Sequence, residues 1–210
     1  MRSLELQYSD PPLGWKNPRK RERRSGPDAT FIDRNNMLGK KVSDSEVVML
    51  HPLEENEANA WGAIHGGHLL RHIDNAGGIV AMRHARALVV TASIDSMDFL
   101  CPLRPGECII LKGSMHLVGR TSMEVGVRVE VENPLTGTVR HAATCYLTYV
   151  AMDARGRPIE VPPLILTSDL ERRRFEEAAQ RKDKRLKRLA EKKAEEEQNL
   201  PESNPAAPSA

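Results

Sequence analysis

The stretch Asn59-Ala60-Trp61-Gly62-Ala63-Ile64-His65-Gly66-Gly67, followed inside a helical segment by Asp74, holds the residue types that chemistry needs. His65-Gly66-Gly67 leads into a helix N-terminus, where backbone N–H groups lack partners and the dipole end is positive. Glycine lets a ligand approach that backbone closely, so the site can polarise a carbonyl or hold an oxyanion. Asp74 follows Ile73, and Gly77-Gly78 come one turn later. A mid-helix glycine costs about 1 kcal/mol relative to alanine, so two in succession imply that something packs very close to this turn. A carboxylate there is a candidate general base or nucleophile. The plainer reading pairs an exposed Asp74 with Arg71 at i−3, a weak contact. The glycine loop upstream favours the catalytic reading.

Gly67 and Asp74 lie two turns apart, roughly 10 Å along a helix. A reacting carbonyl must sit about 3 Å from its oxyanion donors, with the attacking atom close by. One helix does not easily supply both. The spacing therefore sets Asp74 of one chain beside the Gly67 end of another and makes a dimer a requirement for activity.

The elements that position these residues follow from hydrophobic periodicity. Glu46 to His51 reads as a short strand, and Trp61 to Gly67 as a turn-rich approach. His68 to Ala85 is a helix with Leu69, Leu70, Ile73, Val80 and Ala81 on its apolar side. Ala87 to Asp95 reads as a buried strand and Cys108 to Val118 as another. From Met123 to Glu132, Val125, Val127, Val129 and Val131 face one way, and Glu124, Arg128, Glu130 and Glu132 the other. Val139 to Met152 is a long final strand. One strand, a long helix and four antiparallel strands make an α+β plan. A single helix covers one sheet face, and dimerisation is the simple way to cover the other face or an edge.

Composition assigns the ends a different role. The chain has 210 residues with 31 Lys+Arg against 29 Asp+Glu. Residues 38–168 hold 12 Lys+Arg and 14 Asp+Glu together with all seven histidines, so the positive excess lies outside them. Residues 1–37 read as a disordered basic arm, with a run from Lys16 to Arg24 that lacks interleaved aromatics other than Trp15; a nucleic-acid partner is not expected. Residues 38–168 form the folded domain. Ser168 to Glu171 fits a capping box, which starts a charged, solvent-exposed helix over 169–198, with 19 of the 27 residues from Glu171 to Glu197 charged. Residues 199–210 read as a disordered end. The first ten residues lack the apolar core of a secretory signal, and no apolar run reaches membrane-spanning length, so a cytoplasmic protein without a membrane partner is expected. Cys101, Cys108 and Cys145 are an odd number without metal spacing and read as small packing residues. His68, His72, His116 and His141 show no ligand spacing either, and neither a metal nor a cofactor is expected.

The pattern Asn-x-x-Gly-x-x-His-Gly-Gly-x6-Asp resembles that of hotdog-fold thioesterases. It is most similar to the cytosolic acyl-CoA hydrolase group, which includes the brain-type acyl-CoA thioesterases. His65 to Ala85, Val89 to Phe99, Ser122 to Glu124, Leu147 to Val150 and Val161 to Pro163 share the similarity, which runs from about Leu38 to the start of the tail helix. The resemblance implies a single hotdog: a long central helix wrapped by an antiparallel sheet, pairing into double-hotdog dimers and often a trimer of dimers. It implies hydrolysis of acyl-CoA to free acid and CoA, with CoA as part of substrate and product. By motif position Asp74 is the catalytic acid, activating water or attacking the thioester. Asn59 is the catalytic asparagine acting from across the dimer, and the Gly67 N–H polarises the thioester oxygen.

His65 and Gly66 are candidates for contact with the substrate, although a histidine at this point is often structural. Arg120, Thr121 and Ser122 form a strand-to-strand turn that suits CoA phosphates, or is a plain hairpin. Arg83 either meets the CoA nucleotide or complements the helix C-terminus. Two other readings remain on this fold. A non-catalytic acyl-CoA-sensing regulator has no need of Asp74, and the basic arm lacks a helix-turn-helix pattern. A hydratase or dehydratase needs an acid paired with a histidine, and Glu57, the nearest acid before His65, is at the wrong spacing.

Overall fold

The computed structural model describes residues 37–198. The arm read over residues 1–37, Met37 apart, and the end read over 199–210 lie outside the described residues. Five antiparallel strands form one sheet: β2 (Val47–Pro52), β3 (Leu88–Phe99), β4 (Cys108–Val118), β5 (Ser122–Asn133) and β6 (Thr138–Met152). Their order is β2-β4-β5-β6-β3. A two-stranded parallel ladder joins β1 (Lys40–Lys41) to β7 (Leu164–Ile165). The long helix α1 (Gly66–Ala85) packs on one face of the large sheet, as the α+β plan anticipates.

The valine alternation builds this packing. Val125, Val127, Val129 and Val131 of β5 are fully buried, as are Cys145, Leu147 and Ala151 of β6. They meet Leu69, Ile73, Ala76, Val80 and Ala81 of α1 in one core. Each large side chain buried there contributes about 1.5–3 kcal/mol. At the centre of β4 a side chain on Gly113 would begin 2.9 Å from the Val80 side chain, so the glycine sets how closely α1 approaches the sheet. Arg86 ends α1 in the left-handed conformation, φ 53°, and the Lys40 ammonium donates to the carbonyls of Arg83 and His84 at 3.0 and 2.6 Å. Those bonds satisfy carbonyls that the helix leaves open.

Three features differ from the sequence reading. Leu70 is only half-buried, because it lines an open groove beside Thr91 and Ile94 of β3 instead of joining the core. The strand read as buried, β3, is an edge strand among the described residues, and Leu88 and Ile94 are exposed. Part of the far sheet face is covered by a helix of the same chain, while Val48 and Leu50 of β2 stay exposed. The helix α2 (Asp169–Gln198) begins at the capping box, where Ser168 Oγ accepts from Glu171 N–H and Ser168 N–H donates to the Glu171 carboxylate, each at 3.2 Å. Its first half, to Arg185, then docks on the sheet, while residues 186–195 stand exposed as the charge pattern implies. Ala178 is fully buried, and the Arg181 guanidinium lies 3.7 Å over the Tyr146 ring and donates to Glu124 at 2.7 Å. Arg185 pairs with Asp95 of β3. Glu124, one of the outward acids of the alternation, is therefore only 2% exposed.

Candidate active site

Between β2 and α1 the chain makes a single helical turn at Glu55–Glu57 and then a compact loop. Asn59 organises that loop. Its Oδ1 accepts from the N–H groups of Trp61 and Ala63 at 2.9 and 3.3 Å, and its own N–H donates to the Ala63 carbonyl at 2.7 Å. Gly62 has φ +72°, which a residue with a side chain adopts only with strain. Ile64 N–H then donates to Leu103, and His65 N–H to the Glu57 carbonyl, each at 2.8 Å. These bonds fix where α1 begins.

His65 is the N-cap. Its Nδ1 accepts the Gly67 N–H at 3.1 Å, so the amide assigned to polarise a carbonyl is held by the chain's own imidazole. The structural reading of His65 is thus the one the geometry displays. Gly66 also has a packing reason: a side chain there would begin 3.0 Å from the Phe99 ring. Gly67 differs, because it is exposed and lies on an open groove with Leu70, Arg71, Asp74, Thr91 and Ile94.

Asp74 lies half-buried in that groove. Its Oδ1 accepts from the Thr91 hydroxyl at 2.7 Å and from the Tyr149 hydroxyl at 3.2 Å. Tyr149 also donates to the Asp74 backbone carbonyl at 2.9 Å. Burial, reinforced by the Asp74 carboxylate, raises the Tyr149 phenol above its ordinary range, so it remains a donor. Arg71 extends towards Glu57, its Nη2 3.9 Å from Oε1, rather than forming the i−3 pair with Asp74. The packing inferred from the glycine pair is present at Gly77, where a side chain would begin 2.5 Å from the Tyr149 hydroxyl. Neither Thr91 nor Tyr149 stands out in the sequence as a site residue. Each comes from a strand remote from Asp74 in the chain, and the only local signal was the need for a close neighbour at Gly77.

The other candidates do not join this groove. Asn59 and His65 belong to the loop before it, and Gly66 opens α1 against Phe99. Arg83 is exposed near the far end of α1, with Nη2 3.5 Å from the Asp44 carbonyl. Arg120, in the turn between β4 and β5, has its Nη1 3.6 Å from Glu160. Thr121 accepts from Ala151 N–H at 3.0 Å, and Ser122 pairs with Val150, which pairs with Val90. Acid–histidine contacts do exist at Glu57, which lies 3.0 Å from His72 and within 3.7 Å of His51 and His68, but the Glu57 carboxylate is buried and none of the four lines the groove.

The thioesterase superfamily profile matches residues 62–138. An uncharacterized acyl-CoA thioester hydrolase of Bacillus subtilis is 38% identical over 145 residues, 69% of this chain and 84% of that one. The cytosolic acyl coenzyme A thioester hydrolase of Homo sapiens is 33% identical over 138 residues, 65% of this chain, but the match spans only 36% of that longer protein. Among solved structures, an apo-hexameric acyl-CoA thioesterase is 39% identical with a TM-score of 0.71, covering 73% of this chain and 99% of that one. The acyl-CoA hydrolase of Staphylococcus aureus, solved with butyryl coenzyme A and coenzyme A, is 35% identical with a TM-score of 0.70, covering 75% and 96%. That enzyme has also been solved with an asparagine, an aspartate and a threonine each replaced by alanine. Those three lie fifteen and then seventeen residues apart, the spacing of Asn59, Asp74 and Thr91 here.

Proposed function

Because the chain belongs to the acyl-CoA thioester hydrolases of the thioesterase superfamily, we propose that it hydrolyses acyl-CoA to a free acid and CoA from the groove at Asp74. Asp74 is the general base or nucleophile. Thr91 and Tyr149 both hold Oδ1, which fixes the carboxylate in place and leaves Oδ2 to activate water or attack the thioester carbon. The Gly67 N–H, at the positive end of α1, takes the thioester oxygen once His65 releases it. No cofactor enters the chemical step.

The site is shared between two chains. Asp74 and Gly67 of one chain lie two turns apart on α1, and Asn59 is turned into its own loop outside the groove. Pairing of the uncovered β3 edges brings a second copy of the Asn59 loop to Asp74 and covers Ile94 and Leu88. Asn59 then orients water or the carbonyl through its side-chain amide. The active unit is a homodimer of hotdogs, and the hexameric relative supports a trimer of dimers. Arg83 and Arg120–Ser122 lie at the sheet end reached by the C-terminus of α1, where they meet the phosphates of CoA. The cytosolic relatives support a cytoplasmic setting.

The observation that carries this reading is the Asp74 carboxylate held by Thr91 in an open groove that also exposes Gly67. Thiol release from a panel of acyl-CoAs tests it. Asp74→Ala should lose at least a hundredfold in kcat, about 2.7 kcal/mol of transition-state stabilisation. Full activity in that variant rejects the assignment. Mixing inactive Asp74→Ala with inactive Asn59→Ala subunits should restore one intact site per heterodimer; no rescue despite demonstrated mixing rejects the shared site.

A further inference from the structure

Four donors from three separate elements converge behind the site loop. His51 is the penultimate residue of β2, Glu57 lies in the single turn that follows, and His68 and His72 stand one turn apart on α1. His72 Nε2 is 3.0 Å from Glu57 Oε1, His68 Nδ1 is 3.5 Å from the same oxygen, and His51 Nε2 is 3.7 Å from Oε2. The ligand atoms of His51, Glu57 and His72 all lie within 4.8 Å of one another. Bonds of about 2.0–2.1 Å to a tetrahedral zinc ion place its donors about 3.3 Å apart, inside the range of these separations.

Three further observations favour a cation over a plain ion pair. His68 Nδ1 is buried and has no hydrogen-bond partner, although it points at the Glu57 carboxylate. A buried polar atom without a partner costs about 1–3 kcal/mol, and coordination would remove that cost. The rings of His51 and His72 lie 4.0 Å apart with both Nε2 atoms turned to one carboxylate, a disposition that a divalent ion can bridge. Three imidazoles and one carboxylate are also the donor set that suits zinc rather than magnesium or calcium. Arg71, 3.9 Å from Glu57 Oε1, opposes a cation there, and its side chain is 65% exposed and able to swing outward.

We propose that His51, Glu57, His68 and His72 form a binding site for a zinc-class divalent cation that pins β2, the site loop and α1 together. The Glu57 carbonyl already holds His65 N–H, so an ion at the Glu57 carboxylate steadies the segment that carries Asn59 and Gly67. The role is structural, since neither Glu57 nor His72 lines the groove.

The test uses untagged, chelator-dialysed full-length protein. Titration with Zn2+ and with Co2+ should show one ion per chain at micromolar affinity or tighter. Co2+ should give the intense visible bands of four-coordination, and the thermal midpoint should climb with Zn2+ concentration. Glu57→Gln should weaken binding at least a hundredfold. His68→Ala, at a half-exposed position, should weaken it about tenfold and change the Co2+ spectrum. Absence of binding in the wild type, equal binding of Mg2+, or unchanged affinity in folded Glu57→Gln and His68→Ala proteins would each overturn the proposal.

Discussion

The Tyr149 hydroxyl occupies the space in which a side chain at position 77 would start, 2.5 Å from an ideal Cβ on Gly77. The same hydroxyl donates to the backbone carbonyl and the carboxylate of Asp74. One small residue on α1 thus admits a strand residue to the turn that carries Asp74.

Gly77→Ala sets two effects against each other. Alanine gains about 1 kcal/mol of helix propensity. Displacing Tyr149 from a fully packed core costs about 1–3 kcal/mol and pulls a donor from Asp74. The clash should win, so chemical denaturation should show net destabilisation, and kcat should fall. Tyr149→Phe removes the atom nearest the clash, so the double variant should be more stable than additivity predicts. Additive behaviour would mean that the two residues do not press on one another.

Thr91→Ala removes the shorter of the two hydroxyl bonds to Asp74. A charge-assisted bond of this kind is worth about 1.5–3 kcal/mol, so kcat should drop roughly 10- to 150-fold. KM should change little, because Thr91 acts through Asp74. Thr91→Ser keeps the hydroxyl and should recover most of the rate. A Ser variant as slow as the Ala variant would assign the threonine methyl, not the hydroxyl, to the effect.

The sequence made the sheet and the helix readable because their periods are local: alternation along Met123 to Glu132, and a core stripe through Ile73 and Val80. Asp74 and Gly67 were legible for the same reason, since both lie on one helix with a glycine loop before it. Thr91 and Tyr149 were not, because each meets Asp74 only after sheet pairing. The docking of α2 was hidden by composition. Its charged residues, which read as a solvated surface, are partly spent on Glu124 and Asp95, acids of the far sheet face. The convergence of His51, Glu57 and His72 was likewise invisible as spacing, because three elements contribute one or two donors each.

His65 tests the start of α1. Its Nδ1 holds the Gly67 N–H, and loss of an N-cap costs about 0.5–2 kcal/mol. His65→Ala should therefore lower the thermal midpoint. It should not lower kcat/KM, because the N–H it frees is the donor assigned to the thioester oxygen. A tenfold or greater fall in kcat/KM with unchanged stability would instead give His65 a direct contact with the substrate.

The contact between α2 and the sheet should make stability fall in acid through His116. That imidazole packs against Gly126, with Nε2 3.2 Å from Ser114 Oγ. Arg174 and Arg181 of α2 face it, Tyr146 lies beside it, and Arg181 in turn pairs with Glu124. Burial, then the charges of Arg174 and Arg181, push its pKa from 6.5 down to about 3. The folded state therefore resists a proton that the unfolded chain accepts. The contribution of neutral His116 is complete above about pH 6.5 and is lost as the pH falls towards 3, with a slope of up to about 1.4 kcal/mol per pH unit. Urea unfolding of wild type and His116→Gln between neutral pH and pH 4 checks this. Glutamine cannot titrate, so the variant should lose less stability over that interval, whatever its starting value. Parallel pH profiles for the two proteins would mean that His116 is already protonated in the fold, and that Arg174 and Arg181 do not confront it beneath the helix.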